Sequence, residues 1–480
     1  MATPVAGSSR VPSPHASGRT RDPIRRALPG IPDTDPPKKE LLKATARQSG
    51  AAPVAGPKTF GDALRRGPAG FLRLLGPGVV TGASDDDPSG IGTYSQVGSQ
   101  FGYGLLWTVL LTLPLMIAVQ EMCARIGLHT RMGLGASLRQ RFPTPIVGAA
   151  VIALVIANTI NVGADLGAIA SGAGLLVGGI PNVVYVVCAA MLVLGFQLFS
   201  SYERLSSIFK WLTLALFAYV ITLFFAHPDG PRLLMGAMIP RVELNSAWLA
   251  AVVAILGTTI SPYLFFWQAS SEVDVLRAKG RLRTRMKDEE LVSTRVDVTT
   301  GMVFSQAVMF CVIASSAAVL NSHGITQVQT ANQAASALQP FAGHFASMLF
   351  AAGIIGAGLL AVPVLSGSAA YAVREVGDFG GGYGIRARFR PTFYGVIVAA
   401  TAIGVALNAI GFDPIKALFL TAVINGLVAP PLLVLINVVA GDSRIMGQHV
   451  SGRLSRWLGW TAAGVMAVAA AALIITVIPW

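Results

Sequence analysis

Long apolar stretches separated by short polar loops run through the chain from about residue 71 to about residue 477. A helix needs about 20 mostly apolar residues to cross the hydrocarbon core of a bilayer. By that requirement the pattern predicts eleven membrane spans. They lie at about residues 71–97, 105–124, 146–176, 183–199, 208–226, 247–268, 298–320, 345–373, 393–410, 417–439 and 458–477.

Two of these stretches are interrupted by residues that do not suit a lipid-facing helix. Residues 85–93 read DDDPSGIGT in the first span, and residues 257–263 read GTTISPY in the sixth. A charge at bilayer depth is costly, and proline removes a backbone hydrogen bond. Broken backbone at this depth is tolerated only where it is buried in protein or lines a cavity. Paired interruptions in two halves of a chain therefore predict a binding site of the kind that secondary transporters use.

Composition places the chain in the membrane class, because 53% of its residues are hydrophobic, only 12% are charged and the mean hydropathy is +0.62. The formal net charge of +13 would suit a nucleic-acid partner, but the basic residues are spread over the tail and the loops between spans. We therefore expect no nucleic-acid partner. The three cysteines lie within or beside apolar spans without metal-ligand spacing, which favours small core residues.

The loop charges predict the orientation of the chain. Eighteen basic residues fall on the loops predicted to lie inside and three on those predicted outside, so the positive-inside rule places the amino terminus in the cytoplasm and the carboxy terminus outside. Residues 1–66, rich in Pro, Arg, Ser and Ala, predict a disordered cytoplasmic tail. Residues 67–440 predict a core of ten transmembrane helices in two inverted repeats, about 67–230 and 245–440, and residues 441–480 an eleventh helix.

Residues 87–107, which read DPSGIGTYSQVGSQFGYGLLW, closely resemble the first-span signature of the NRAMP (natural resistance-associated macrophage protein) metal-ion transporter family, which begins DPGN and continues as Q-x-G-x-x-x-G-Y-x-L-L-W. The segment GTTISPY is similar to the family's GATVMPH, and ADLG at residues 164–167 is similar to its A-T-D-L-A-E stretch. The likeness covers about residues 70–440. It implies an all-α polytopic membrane protein with the LeuT-like fold, a 5+5 inverted repeat whose first and sixth helices are discontinuous, working by alternating access.

The resemblance also implies a metal site, in which this chain departs from the family pattern. Typical members bind a transition metal through the aspartate and asparagine of DPGN, a backbone carbonyl in the sixth span and the methionine of MPH. The aspartate is kept as Asp87, whereas Gly90 stands at the asparagine position, Ser261 at the methionine position and Thr258 at the carbonyl-supplying alanine. Oxygen ligands suit Mg²⁺, Ca²⁺ and Mn²⁺, whereas thioether sulfur favours softer ions. We therefore expect Asp87, Gly90, Thr258 and Ser261 to line the site, with Asp87, Thr258 and Ser261 as ligands of Mg²⁺ or Mn²⁺.

Each of these side chains also has a purely structural interpretation. Asp87 could cap the half-helix that follows the first break. The hydroxyl groups of Thr258 and Ser261 could bond back to carbonyls one turn earlier. Asp85 and Asp86 are interpreted as vestibule residues or additional ligands, because only one face of the turn can point into the site.

A gate or proton route is expected at Asp165, Tyr263 and Gln268. The family's route uses acids in the third span and histidines in the sixth. Here Asp165 is kept, the neighbouring glutamate position is Ala168, and the histidine positions are Tyr263 and Gln268. Histidine alone titrates near neutral pH without a perturbed environment. Coupling to a proton would therefore depend on Asp87 or Asp165.

The preferred hypothesis is a secondary-active transporter of a hard divalent cation, Mg²⁺-like or Mn²⁺-like, with a midplane site at the two breaks. The alternative is a carrier of the same fold for a non-metal solute or an anion such as bicarbonate, coupled to sodium, because helix amino termini at both breaks can hold an anion. An enzyme is not expected, since there is no H-E-x-x-H and no Ser/Lys or Cys/His constellation. The expected partners are the lipid bilayer and the transported ion, with no cofactor. The resemblance implies a bacterial inner membrane, and the oligomeric state stays open.

Overall fold

A computed structural model describes residues 76–199, 217–282, 284, 286, 288–328, 331–336, 346–377, 391–411 and 414–477. All regular structure within these ranges is helical. The predicted cytoplasmic tail at residues 1–66 lies outside the described residues. The proposed limits of the two repeats and of the eleventh helix stay predictions.

The described residues form seventeen α-helices and two short 3₁₀-helices. The α-helices are numbered here in chain order. They are α1 (Pro77–Asp85), α2 (Pro88–Phe101), α3 (Trp107–Thr130), α4 (Leu134–Leu138), α5 (Thr144–Leu176), α6 (Asn182–Phe199), α7 (Phe217–Phe225), α8 (Gly230–Met238), α9 (Ser246–Thr259), α10 (Pro262–Ala278), α11 (Asp288–Val319), α12 (Ala331–Ser336), α13 (Ala346–Val376), α14 (Pro391–Ala409), α15 (Pro414–Gly441), α16 (Ser443–Met446) and α17 (Arg453–Val477).

Nine helical segments of the described chain are long and apolar enough to cross a membrane. They correspond to nine of the eleven predicted spans. The first predicted span is divided between α1 and α2, with nine and fourteen residues, and neither alone reaches the length of a span. Most of the fifth, at residues 208–226, lies outside the described residues, and its described part is α7.

The first break is shorter than the nine-residue interruption that the sequence predicted. Helix α1 ends at Asp85, and α2 already begins at Pro88. Asp87 is extended, with φ −68° and ψ 170°, and its side chain accepts a hydrogen bond from Gly90 N. Proline is tolerated in the first turn of a helix, where its missing N–H has no intrahelical partner. The expectation that residues 88–93 are non-helical is therefore wrong.

The second break lies where the sequence predicted it. Helix α9 ends at Thr259, and α10 begins at Pro262. Ile260 and Ser261 between them have non-helical dihedral angles, with ψ values of 58° and 130°. Pro262 cannot donate to the carbonyl one turn earlier, which explains why the continuous apolar run divides here.

The two broken helices pack against each other in a crossed arrangement. Helix α1 contacts α10, and α2 contacts α9, so each half of one pair meets the opposite half of the other. Helices α1 and α2 also pack on α11, whereas α10 packs on α3. The broken helix of each half thus packs on the first unbroken helix of the other half. This exchange of partners matches an inverted repeat.

Close approach between backbones holds this arrangement together. A Cβ atom placed on Gly301 of α11 would lie 2.2 Å from the carbonyl oxygen of Gly78 in α1. A Cβ on Gly257 of α9 would lie 2.0 Å from the carbonyl oxygen of Ala422 in α15. Small residues permit such packing in membranes, where helix association depends on van der Waals contact.

The cysteines of the described chain are free thiols. Cys123 and Cys311 are buried, as expected, but Cys188 is exposed on α6. The expectation of a core position is wrong for Cys188, because α6 leaves a wide apolar face uncovered that includes Met191.

Replacing Gly301 by alanine is expected to destabilise the protein by about 1–3 kcal/mol, because the added methyl group must push α1 away from α11. The matched control is Gly464→Ala in α17, where nothing lies within 4 Å of the added Cβ. Thermal unfolding of the purified variants should show a lower midpoint for Gly301→Ala only. Equal midpoints would mean that the two helices are not packed this closely.

Candidate functional site

Four aspartates are buried where the two breaks meet. Asp85, Asp86 and Asp165 are fully buried, and Asp87 is 1% exposed. None of them takes part in an ion pair among the described residues. Buried carboxylates within a membrane protein are a functional-site hypothesis by default, since each is costly to keep there.

The carboxylate of Asp87 accepts three hydrogen bonds. Oδ1 accepts from Gly90 N at 2.7 Å and from Ser89 Oγ at 2.6 Å. Oδ2 accepts from Asn161 Nδ2 at 3.1 Å and lies 3.4 Å from the Tyr263 hydroxyl, whose single proton is donated to a nearer backbone carbonyl. A carboxylate has about four lone-pair positions, so three of them are used. Asp87 thus caps α2 and joins it to α5.

Asp85 and Asp86 keep free oxygens. The Ser305 hydroxyl of α11 lies 2.6 Å from Asp85 Oδ2 and 3.4 Å from Asp86 Oδ1. Asp85 Oδ1 and Asp86 Oδ2 are buried and have no hydrogen-bond partner in the described structure. An unpaired buried anionic oxygen is strongly unfavourable, which favours a cation at this position.

The second break contributes Thr258. A Cβ atom on Gly90 would lie 3.1 Å from Thr258 Oγ1 and 3.2 Å from the carbonyl oxygen of Asp85. The hydroxyl groups of Thr258 and Tyr94 lie side by side, and neither meets the geometry of a hydrogen bond. The lack of a side chain at Gly90 therefore lets the two breaks touch. It leaves a hydroxyl oxygen next to the acidic turn.

Ser261 adopts the back-bonded structure that was one of its two interpretations. Its hydroxyl lies 2.7 Å from the carbonyl oxygen of Gly257 and 2.8 Å from that of Thr258. It therefore donates its proton to the last turn of α9, and its lone pairs remain available to a cation.

The three residues expected at a gate or proton route lie in different surroundings. The Tyr263 hydroxyl donates to the carbonyl oxygen of Ser84 at 2.8 Å and thus ties α10 to the end of α1. Both carboxylate oxygens of Asp165 are buried without a hydrogen-bond partner, next to the backbone of Ser89. Gln268 lies further along α10, where it accepts from Thr81 at 2.5 Å and donates to Glu272 at 3.0 Å. The structure thus places Tyr263 and Asp165 around Asp87 and Gln268 apart from them.

Sequence reasoning missed three polar residues of the site, Asn161, Ser305 and Tyr94. Asn161 and Ser305 stand in the middle of apolar spans, which is itself a signal in membrane helices. Asn161 also precedes Asp165 by four residues, so both lie on one face of α5. Tyr94 carried no comparable signal, because aromatic residues are common in apolar spans.

The described chain holds no group of three or more His, Cys, Asp or Glu side chains arranged for a metal ion. The site instead offers two carboxylate oxygens, hydroxyl groups and the carbonyls freed by the breaks. Such a set can hold a hard cation that keeps part of its hydration shell.

Crossed broken helices around buried acids, set among membrane-spanning helices, define an all-α polytopic membrane protein with the LeuT-like fold. Residues 78–476 match the family described as natural resistance-associated macrophage protein-like. The chain belongs to this family, and both the fold class and the family resemblance are confirmed.

Two sequence relatives are similar over most of their length. The "Divalent metal cation transporter MntH" of Klebsiella pneumoniae is 28% identical over 395 residues, which cover 81% of this chain and 90% of the relative. The protein of the same name from Yersinia pestis is 28% identical over 392 residues, covering 81% and 91%.

Solved structures show the same fold at low identity. A manganese transporter from Eremococcus coleocola, solved with an aromatic bis-isothiourea compound, has a TM-score of 0.68 at 16% identity and covers 86% of this chain and 88% of that one. The nucleobase-cation-symport-1 family transporter Mhp1, in a closed conformation, has a TM-score of 0.51 at 13% identity, with coverages of 84% and 90%.

Replacing Asp87 by alanine is expected to lower stability by about 1–2 kcal/mol, because Gly90 N and Asn161 lose their acceptor inside the protein. Asp87→Asn should lose less, since asparagine caps helices as well as aspartate does. Asp229→Ala, at the exposed cap of α8, is the matched control with a smaller effect. Thermal unfolding of purified protein measures the order; an Asp87→Ala variant as stable as the parent would contradict the capping role.

Proposed function

We propose that the protein is a secondary-active transporter of a hard divalent cation, Mg²⁺ or Mn²⁺, which works by alternating access around the two breaks. The observation that carries this proposal is the pair of buried, unpartnered oxygens on Asp85 and Asp86, in the turn that meets the second break at Gly90. The crossed broken helices provide a central site around which two halves of the bundle can rock.

Charge favours a cation over the anion of the alternative hypothesis. Four buried aspartates surround the site, and no Lys or Arg of the described chain pairs with them. An anion placed there would meet strong repulsion. The relatives named divalent metal cation transporters support the same conclusion.

The choice between hard and soft metal ions rests on the donor atoms. The site groups described above are oxygens, and Ser261 stands where the family pattern has a thioether. Mg²⁺ binds through one or two carboxylates while keeping several waters, which requires room. Gly90 and Ser261 are small, but the two breaks touch at Gly90, so the hydrated ion enters when alternating access moves the breaks apart. We therefore assign Asp85, Asp86, Thr258 and Ser261 as the groups that face the hydrated ion.

Asp87 acts in this proposal mainly as support. Its three donors fix the start of α2, so that the acidic turn keeps its shape, and its charge adds to the attraction for the ion. Asp165, with two unpartnered oxygens beside the first break, is the residue to which we assign a coupling cation, whether a proton or sodium.

We place the protein in a bacterial inner membrane with its amino terminus in the cytoplasm. Support comes from the basic loops, which meet at one end of the bundle. Arg141 pairs with Asp442 at 3.2 Å, and Arg281 pairs with Glu290 at 2.8 Å. Positive charge concentrated at one end marks the cytoplasmic side.

Asp85→Asn and Asp86→Asn are each expected to slow Mg²⁺ and Mn²⁺ uptake into proteoliposomes by about tenfold or more, because a lost charged ligand is worth about 1.5–3 kcal/mol. Glu289→Gln, an exposed acid at the start of α11, is the charge-matched control and should transport normally. Bicarbonate uptake that ignores divalent ions, or unchanged Mg²⁺ uptake in both aspartate variants, would refute the proposal.

Ser261→Met should make Cd²⁺ a better competitor, because it brings a soft sulfur ligand to the second break. The expected change is a roughly tenfold lower Cd²⁺ concentration for half-inhibition of Mn²⁺ uptake, equivalent to about 1.4 kcal/mol. Ser322→Met, on the exposed turn after α11, is the control. No change in Cd²⁺ competition would mean that Ser261 does not face the ion.

A further inference from the structure

A cavity lies at one end of the bundle, away from the two breaks. It has a volume of about 470 Å³ and lies between the end of α15 and the start of α17. Its lining includes Asn437 and Gly441 from α15 and Arg453, Arg456, Trp457 and Trp460 from α17. None of these residues belongs to the proposed transport site, so the cavity needs a separate explanation.

The residues from α17 form one stripe. Positions 453, 456, 457 and 460 are spaced by three, one and three residues and therefore lie on one helix face. The stripe begins with two arginines and continues with two tryptophans towards the middle of the helix. Trp457 is 65% exposed and Trp460 47% exposed. Tryptophan is enriched where the hydrocarbon core of a bilayer meets the headgroups.

The two arginines carry uncompensated charge. Neither takes part in an ion pair among the described residues. The Nε atom of Arg456 is buried and has no hydrogen-bond acceptor there. Two acids of neighbouring elements are paired with other arginines: Asp442 pairs with Arg141, and Glu121 pairs with Arg125 and Arg295. An anion in the cavity would supply the missing acceptors.

The cavity lies at the end of the bundle that carries the basic loops. Arg125 of α3 approaches the carbonyl oxygen of Val450, just before α17, and the rings of His129 and His449 lie 5.1 Å apart. Basic residues near the cytoplasmic leaflet attract anionic lipids, and basic pockets between helices bind their headgroups.

We propose that this cavity binds the headgroup of an anionic phospholipid. The phosphate lies against Arg453 and Arg456, and the glycerol and upper acyl region lie along Trp457 and Trp460. A free phosphate ion would satisfy the arginines, but it would leave the exposed tryptophans and the exposed apolar face below them, which includes Val468, without a role. The charge and the apolar stripe together therefore favour a lipid.

The test uses fluorescence quenching of the purified full chain in vesicles. Phosphatidylglycerol with brominated acyl chains should associate with the tryptophans at least about fivefold more strongly than phosphatidylcholine with the same chains. Trp457→Phe combined with Trp460→Phe should abolish the difference, because these two tryptophans line the cavity. Equal association of the two lipids would overturn the proposal.

Charge variants separate the cavity from general surface attraction. Arg453→Gln combined with Arg456→Gln should remove the preference for phosphatidylglycerol, whereas Arg453→Lys with Arg456→Lys should keep most of it. Arg444→Gln, an exposed arginine at the same end of the bundle, should leave it unchanged. A preference that survives in the double glutamine variant would overturn the proposal. Displacement of the brominated lipid by millimolar inorganic phosphate would assign the cavity to a free anion and overturn it as well.

Discussion

The structure depends on keeping carboxylates inside a membrane protein without basic partners. Such groups are tolerated only when donors or a cation satisfy them. Asp87 accepts hydrogen bonds from three donors of α2 and α5, and these hydrogen bonds shape the first break. Asp85 and Asp86 share the single hydroxyl of Ser305 and keep one free oxygen each. Within three consecutive residues, hydrogen bonds thus fix the carboxylate of Asp87, whereas Asp85 and Asp86 each keep an oxygen without a partner.

Helix packing determines where these oxygens point. Glycines let α1 lie against α11 and α9 against α15 at distances that a side chain would prevent. Proline at the start of α2 and of α10 ends the preceding helix and frees backbone carbonyls. Gly90 then brings the two breaks into contact, so the acidic turn of one repeat faces the Thr258 hydroxyl of the other. These contacts bring carboxylate and hydroxyl oxygens close together, although the described residues form no dedicated cage of metal ligands.

Acidic and basic residues lie in two separate regions of the bundle. Buried acids lie in the region where the two breaks meet. Basic residues occupy one end, where some pair with acids of neighbouring loops and Arg453 and Arg456 do not. This separation keeps the basic residues away from the buried aspartates, which take part in no ion pair among the described residues.

The sequence by itself determined the class of protein, the position of both breaks and the family, because apolar spans, prolines and the DPSG signature are local features. It also identified the candidate acids and the hydroxyls of the second break, but not Asn161, Ser305 or Tyr94. Only the tertiary structure decided the separate roles of these groups, since Asp87 accepts a hydrogen bond from Asn161, 74 positions along the chain. It made Asp87 a cap, turned the Ser261 proton towards α9 and left Asp85 and Asp86 with free oxygens. Whether a lone pair is occupied depends on neighbours from other helices, and no local pattern records them.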